Sequence, residues 1–106
     1  MEQQKQYKIE FYIGLLDSDE LWISTPLKEA VDKITELIGD CTIIPCIGSY
    51  KHESGVRINM NSLKVIKFAD FNTKQTILNQ VCKFKEFFNQ KCIITNTTEC
   101  YGLQFD

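Results

Sequence analysis

The chain contains one histidine (His52), one arginine (Arg57) and two prolines, and it has no glycine-rich phosphate loop and no C-x-x-C pair. One histidine with five unpaired-looking cysteines (41, 46, 82, 92 and 100) makes no recognisable zinc set, and an odd number would leave a disulfide framework incomplete. The cysteines therefore read as reduced, mostly buried thiols that behave as small apolar residues. Asp17, Asp19 and Glu20 resemble a cation loop only in composition, because the glycine and the later bidentate glutamate of an EF-hand are missing. No apolar run approaches the roughly 20 residues that cross a bilayer. The polar start, Met1 to Gln6, has no secretion-type apolar run behind it, which points to the cytosol. A net charge of −2 excludes the dense cationic face that non-specific nucleic-acid binding needs.

What is present describes one soluble globular domain, residues 1–106, with residues 1–6 expected to be flexible. Apolar residues make up 43% and charged residues 25%, and a chain of 106 residues buries a core without staples. Basic charge carried almost wholly by lysine, with abundant isoleucine and asparagine, suggests an AT-rich genome.

Periodicity then gives the architecture. Tyr7, Ile9, Phe11, Ile13 and Leu15 alternate with Lys8, Glu10, Tyr12 and Gly14, the pattern of a half-buried strand. Ser24-Thr25-Pro26 predicts a hydroxyl-capped helix start with proline at the first helical position. Leu27, Ala30, Val31, Ile34, Leu37 and Ile38 follow at helical spacing, and Gly39 stops the helix. A second strand over Cys41–Tyr50 holds Pro45, which belongs on an edge strand or at a bulge. After a turn over Lys51–Gly55, Val56, Ile58 and Met60 alternate, but Leu63 and Val65 continue the apolar set one residue late, which predicts a bulge near Asn61-Ser62. Asn72-Thr73-Lys74-Gln75 resembles a capping box opening a second helix with Ile77, Leu78, Val81, Phe84 and Phe88 inward, broken at Asn89-Gln90. A last strand is expected over residues 91–105, ending on Tyr101, Leu103 and Phe105.

The order strand, helix, strand, strand, helix, strand predicts an α+β, ferredoxin-like βαββαβ sandwich: a four-stranded antiparallel sheet in the order 4-1-3-2 with two helices on one face. The second strand then lies at an edge, in agreement with Pro45. The other sheet face keeps Tyr12, Leu16 and aliphatic neighbours, and a partly apolar open face predicts self-association into a dimer or larger oligomer.

Groups suited to a small anionic ligand gather around the turn in Gly48–Arg57. Tyr50 offers a ring for stacking, Lys51 and Arg57 offer charge, His52 a hydrogen bond, and Lys64 a further cation. The plain alternative is a solvated strand face. His52 beside Glu53 is the only candidate proton-transfer pair, although neighbours on an extended segment point apart. No cofactor is implied.

The run Ile23-Ser24, Glu29-Ala30, Cys41-Thr42-Ile43, Gly48-x-Tyr50-Lys51-His52-Glu53-x-Gly55, Asn61-Ser62-Leu63-x-Val65 and Phe88-Asn89-Gln90 resembles a group of small, mostly uncharacterised proteins of low-GC bacteria and their phages. In size and context the chain is similar to phage anti-defence sponges, such as the Thoeris anti-defence proteins, which bind nucleotide signals without cleaving them. That resemblance implies a non-enzymatic, oligomeric immune-evasion protein that sequesters a nucleotide second messenger, for example a cyclic nucleotide. Two other readings stand beside it: an inhibitor of a host defence protein acting through the open sheet face or the Pro45 edge, and a small enzyme using His52 and Glu53.

Overall fold

The computed structural model describes residues Glu2 to Gln104. Its elements are β1 (Glu2–Gly14), α1 (Leu27–Ile38), β2 (Thr42–Lys51), β3 (Arg57–Ala69), α2 (Phe71–Phe87) and β4 (Thr95–Gln104). The strands form one sheet in the order β2-β3-β1-β4, and every neighbouring pair is antiparallel. This is the expected 4-1-3-2 order read from the other edge, an α+β fold consistent with the ferredoxin-like sandwich. Pro45 sits on the edge strand β2, where its missing N–H leaves no inner ladder bond unmade.

The core follows from alternation on the central strands. Ile9, Phe11 and Ile13 of β1 and Leu63 and Val65 of β3 project to one face and are fully buried. They pack with Ala30, Ile34 and Ile38 of α1 and with Ile77, Phe84 and Phe88 around α2, so both helices cover that face. Phe84 stacks on Phe11 at 5.5 Å between ring centroids, joining α2 to the middle strand. Phe87, the last residue of α2, turns outward, with Lys33 over its ring at 5.0 Å. Tyr12, Ile44 and Phe68 lie in the opposite phase on the uncovered face, 43%, 43% and 55% exposed. Among the described residues no helix is long and apolar enough to cross a membrane.

Several local expectations are corrected. No bulge interrupts β3: its ladder to β2 runs from Lys51↔Arg57 to Thr42↔Ile66 without a skipped residue, and its ladder to β1 is equally regular. The phase change near Asn61-Ser62 is a change of face, which leaves Ile58 and Met60 on the side away from the helices. Residues Glu2 to Gln6, expected to be flexible, pair with Gln104 to Cys100 of β4, because an extended polar strand needs only a backbone partner. Met1 and Phe105, parts of the flexible-start and last-strand expectations, lie outside the described residues.

The caps also move. Pro26 itself occupies the N-cap of α1, with no hydroxyl bond, while Gly39 ends the helix as expected at φ 72°. The cap of α2 is Asp70, whose carboxylate accepts the Thr73 amide at 2.8 Å. None of the cysteines is fully buried: Cys82 and Cys92 are exposed and the others partly covered.

Replacing Phe84, 0% exposed at the centre of the core, by alanine should cost about 3–5 kcal/mol in urea unfolding. Trp22→Ala, at a position 81% exposed, should stay within about 0.5 kcal/mol of wild type. Equal losses in the two variants would contradict this placement of the core.

Candidate functional site

The β2–β3 hairpin outruns the central strand. Pairing of β1 with β3 stops at Gly14↔Ser62, whereas β2 and β3 continue together to Lys51↔Arg57. A four-residue turn closes the hairpin, with the Gly55 amide donating to the His52 carbonyl at 2.8 Å and Gly55 at φ 90°. A cleft of about 410 Å³ lies between this projecting tip and the segment that links α2 to β4. Its apolar wall is Met60, Ile94 and the ring of Tyr50, and its rim is Lys51, His52, Glu53 and Lys91. Ser18, Gln90 and Cys92 complete it. Both its size and its mixture of apolar wall and few polar groups are ordinary for a small-molecule site.

The far wall is held by the loop after β1. Asn89 adopts a left-handed backbone at φ 46°, which turns the chain sharply out of α2. Its amide nitrogen donates to the carboxylates of Asp17 at 2.8 Å and Asp19 at 3.1 Å, while the Ser18 hydroxyl donates to its carbonyl at 2.7 Å. Asp17 also accepts the backbone amides of Asp19 and Glu20 at 2.8 and 2.9 Å. Those amides, that of Glu20 first, hold the Asp17 carboxyl below the usual carboxylate range. The acidic stretch, which has only the composition of a cation loop, is therefore a brace between two loops. Among the described residues no three His, Cys, Asp or Glu side chains gather as metal ligands.

Glu53 at the hairpin tip forms an ion pair with Lys91 on the opposite wall. The hydrogen bond from Lys91, then its charge, lowers the Glu53 pKa, and the same bond raises that of Lys91. Both side chains are largely in water, so the pair orients the rim more than it stabilises the fold. The His52 Nδ1 accepts the Ser54 amide at 3.2 Å, which leaves its proton on Nε2 as a donor. His52 and Glu53 thus share the rim with separate partners.

Of the sequence candidates, Tyr50, Lys51 and His52 come together in this cleft. Arg57 is exposed, lies across the ladder from Lys51 and does not line the cleft. Lys64 stands opposite Ile44, six residues along β2 from Tyr50, roughly 20 Å at strand rise. There it binds Glu10 at 3.3 Å, and that hydrogen bond raises its pKa. Glu10 in turn is held below its usual range by the hydrogen bond from Lys8, then by that from Lys64. The sequence reading missed Met60, Gln90, Lys91 and Ile94. The one available signal was the phase change in β3, which was read as a bulge.

No family model matches the chain, and no curated protein matches it. Solved structures share its fold, among them two of phage SAM lyases. A phage SAM lyase in complex with S-methyl-5'-thioadenosine superposes with a TM-score of 0.68 at 18% identity, covering 89% of this chain and 81% of the other. A phage SAM lyase in its apo state gives 0.67 at 16% identity, with coverages of 88% and 79%. At these identities the likeness establishes the fold, and both neighbours are phage proteins, in keeping with the phage side of the resemblance. It overturns the expectation of a non-enzymatic sponge, and with it the expectation that the chain is not an enzyme. That expectation rested on the resemblance in size and context to the sponges, whereas both of these neighbours are lyases. The small-enzyme reading is the one the neighbours favour.

The carboxyls of Glu10, Asp17, Glu53 and Asp70 are all lowered in the folded chain, the last by the Thr73 amide. A lowered folded-state pKa gives stabilisation that is complete above the unfolded value, about 4, and lost as pH falls through the lower folded value. Melting temperature should therefore drop on acidification below about pH 4. Asp17→Ala should melt lower than wild type at pH 7 and lose less on acidification. Parallel pH curves for the two proteins would remove Asp17 from this account.

Proposed function

We propose that this chain is a small phage enzyme that cleaves S-adenosylmethionine (SAM), or a close sulfonium nucleoside, as a lyase in the cleft beneath the hairpin tip. The observation that carries this reading is the coincidence of two features. The fold is shared over most of its length with a SAM lyase seen with S-methyl-5'-thioadenosine, and the chain has its own nucleoside-sized cleft with an apolar wall and a charged rim. The nucleotide second messenger of the sequence reading gives way to a sulfonium nucleoside.

The chemistry follows from the two molecules. S-methyl-5'-thioadenosine is SAM without its four-carbon amino-acid arm, so the bond that breaks joins sulfur to Cγ. A lyase adds no water. The carboxylate of the arm forms a bond to Cγ, the electron pair of the broken bond returns to sulfur as a neutral thioether, and the arm leaves as homoserine lactone. No proton changes place, and no acid or base from the protein is required. The work left to the protein is to bind, to fold the arm back on itself and to keep water away. A chain with one histidine is sufficient for that.

In this arrangement Tyr50 stacks on the purine, with Met60 and Ile94 along the same apolar wall. Lys51 and Glu53 at the rim complement the carboxylate and ammonium of the arm, and the Nε2 proton of His52 is a donor to the ribose or the arm. Arg57 and Lys64 belong to other surfaces. The exposed Tyr12, Ile44 and Phe68 support self-association through the open sheet face, and a host cytosol containing SAM is the natural place of action.

Purified protein incubated with SAM should release S-methyl-5'-thioadenosine and homoserine lactone, read by chromatography. Tyr50→Ala should lower kcat/KM by about 10- to 100-fold, the size of a lost base stack. No thioether product above the protein-free control would end the enzymatic reading, and full activity in Tyr50→Ala would remove the stack.

A further inference from the structure

Gln90 is the polar side chain of the cleft whose orientation is most tightly determined. Its amide nitrogen donates to the Leu16 carbonyl at 2.7 Å and to the Phe88 carbonyl at 3.0 Å. A reversed amide would set its oxygen against two carbonyl oxygens, so the partners themselves fix which atom is which. Both N–H groups are engaged by the backbone, and Oε1 is left facing the other way. It lies over Gly14, 2.8 Å from the place a Cβ would take there, beside the Met60 sulfur, which stands 2.6 Å from that same place. Gln90 and Met60 both line the cleft, and the missing side chain at Gly14 is what lets them settle there. Among the described residues Oε1 accepts no hydrogen bond.

The other polar groups differ from it in kind. Lys51 and Lys91 are cations, His52 presents a donor, and Glu53 is paired with Lys91. An oriented, neutral acceptor next to a thioether disfavours an anion and matches a neutral N–H donor on a flat apolar group. An unrestrained glutamine would turn its amide to suit a donor or an acceptor and would select neither. One tied to two carbonyls cannot.

We propose that Gln90 is the specificity-determining residue for the base, with Oε1 accepting from the exocyclic amine of adenine and rejecting purines that carry a carbonyl at that position. This rests on the reading of the cleft as a purine nucleoside site. Hypoxanthine has almost the same shape as adenine but presents an oxygen where adenine presents N–H. Two acceptors then face each other with no proton between them, and a buried polar group left unpaired costs more than a made bond gains.

The test is isothermal titration of the full chain with S-methyl-5'-thioadenosine and with S-methyl-5'-thioinosine. Wild type should prefer the adenine form by about tenfold or more, and Gln90→Met should bring the ratio of the two affinities close to one. A loop merely loosened by the substitution would weaken both ligands together and leave the ratio intact, which would overturn the assignment. Where Gln90→Met fails to fold, Gln90→Leu removes the same acceptor with another apolar side chain: a ratio close to one supports the assignment, and a retained adenine preference overturns it. A wild type that binds both nucleosides equally overturns the role of Gln90 while leaving the nucleoside site standing. A wild type that binds neither overturns the nucleoside site itself, and Gln90's role with it.

Discussion

An unbroken ladder along β3 obliges Met60 and Leu63 to face opposite sides of the sheet. Side chains alternate with a period of two, so a strand whose apolar residues slip by one position must either bulge or change face. Here it changes face, and the point of change coincides with the end of the central strand at Gly14↔Ser62. On one side of that point β3 contributes Leu63 and Val65 to the core between sheet and helices. On the other it runs with β2 past the helices and turns Met60 toward the cleft. One strand therefore builds both the interior and a wall of the cleft, and the division between them is set by where β1 stops.

A projecting two-stranded hairpin has little stability of its own. Its tip is met by Lys91, through Glu53, from a segment that is itself secured elsewhere. The left-handed turn at Asn89 directs that segment away from α2, and Asp17, Ser18 and Asp19 clasp Asn89 while Gln90 reaches back to Leu16. The loop after β1 thus supports the wall of a cleft to which it contributes only Ser18. Because the contacts are hydrogen bonds between neighbouring turns, the wall can be firm without being part of the hydrophobic core.

These relations explain what could be read in the residues beforehand. Alternation in β1, the helical spacing through Ala30, Ile34 and Ile38, and Pro45 at an edge are local patterns, and they led to the correct sheet order. Tyr50, Lys51 and His52 were recognised because turn chemistry concentrates them in one stretch. The partners across the cleft were not, since Gln90 and Lys91 follow a helix some 40 positions later and carry no motif. Nothing local distinguishes Asp17 as a brace from Asp17 as a solvated loop residue; the difference is Asn89, 72 positions away. The slip at Asn61-Ser62 was visible, but a bulge and a change of face leave the same trace in one strand. Only the partner strands distinguish them.

The same limit applies to chemistry. Searching a chain for an acid, a base or a metal set presumes that the protein must supply reactive groups. A sulfonium centre with a carboxylate four carbons along its arm contains its own leaving group and its own nucleophile, so the barrier is lowered chiefly by holding a folded-back conformer away from water. Effective molarities for well-oriented intramolecular reactions reach about 10⁵ M or more, which makes positioning alone a sufficient contribution. A protein for such a reaction needs a shaped apolar wall, a few oriented polar atoms and a rim matched to both charges of the arm. The cleft where β2 and β3 outrun the core offers an apolar wall, an oriented amide and a charged rim, the features the proposed reaction would use, and they have no sequence signature beyond the residues themselves.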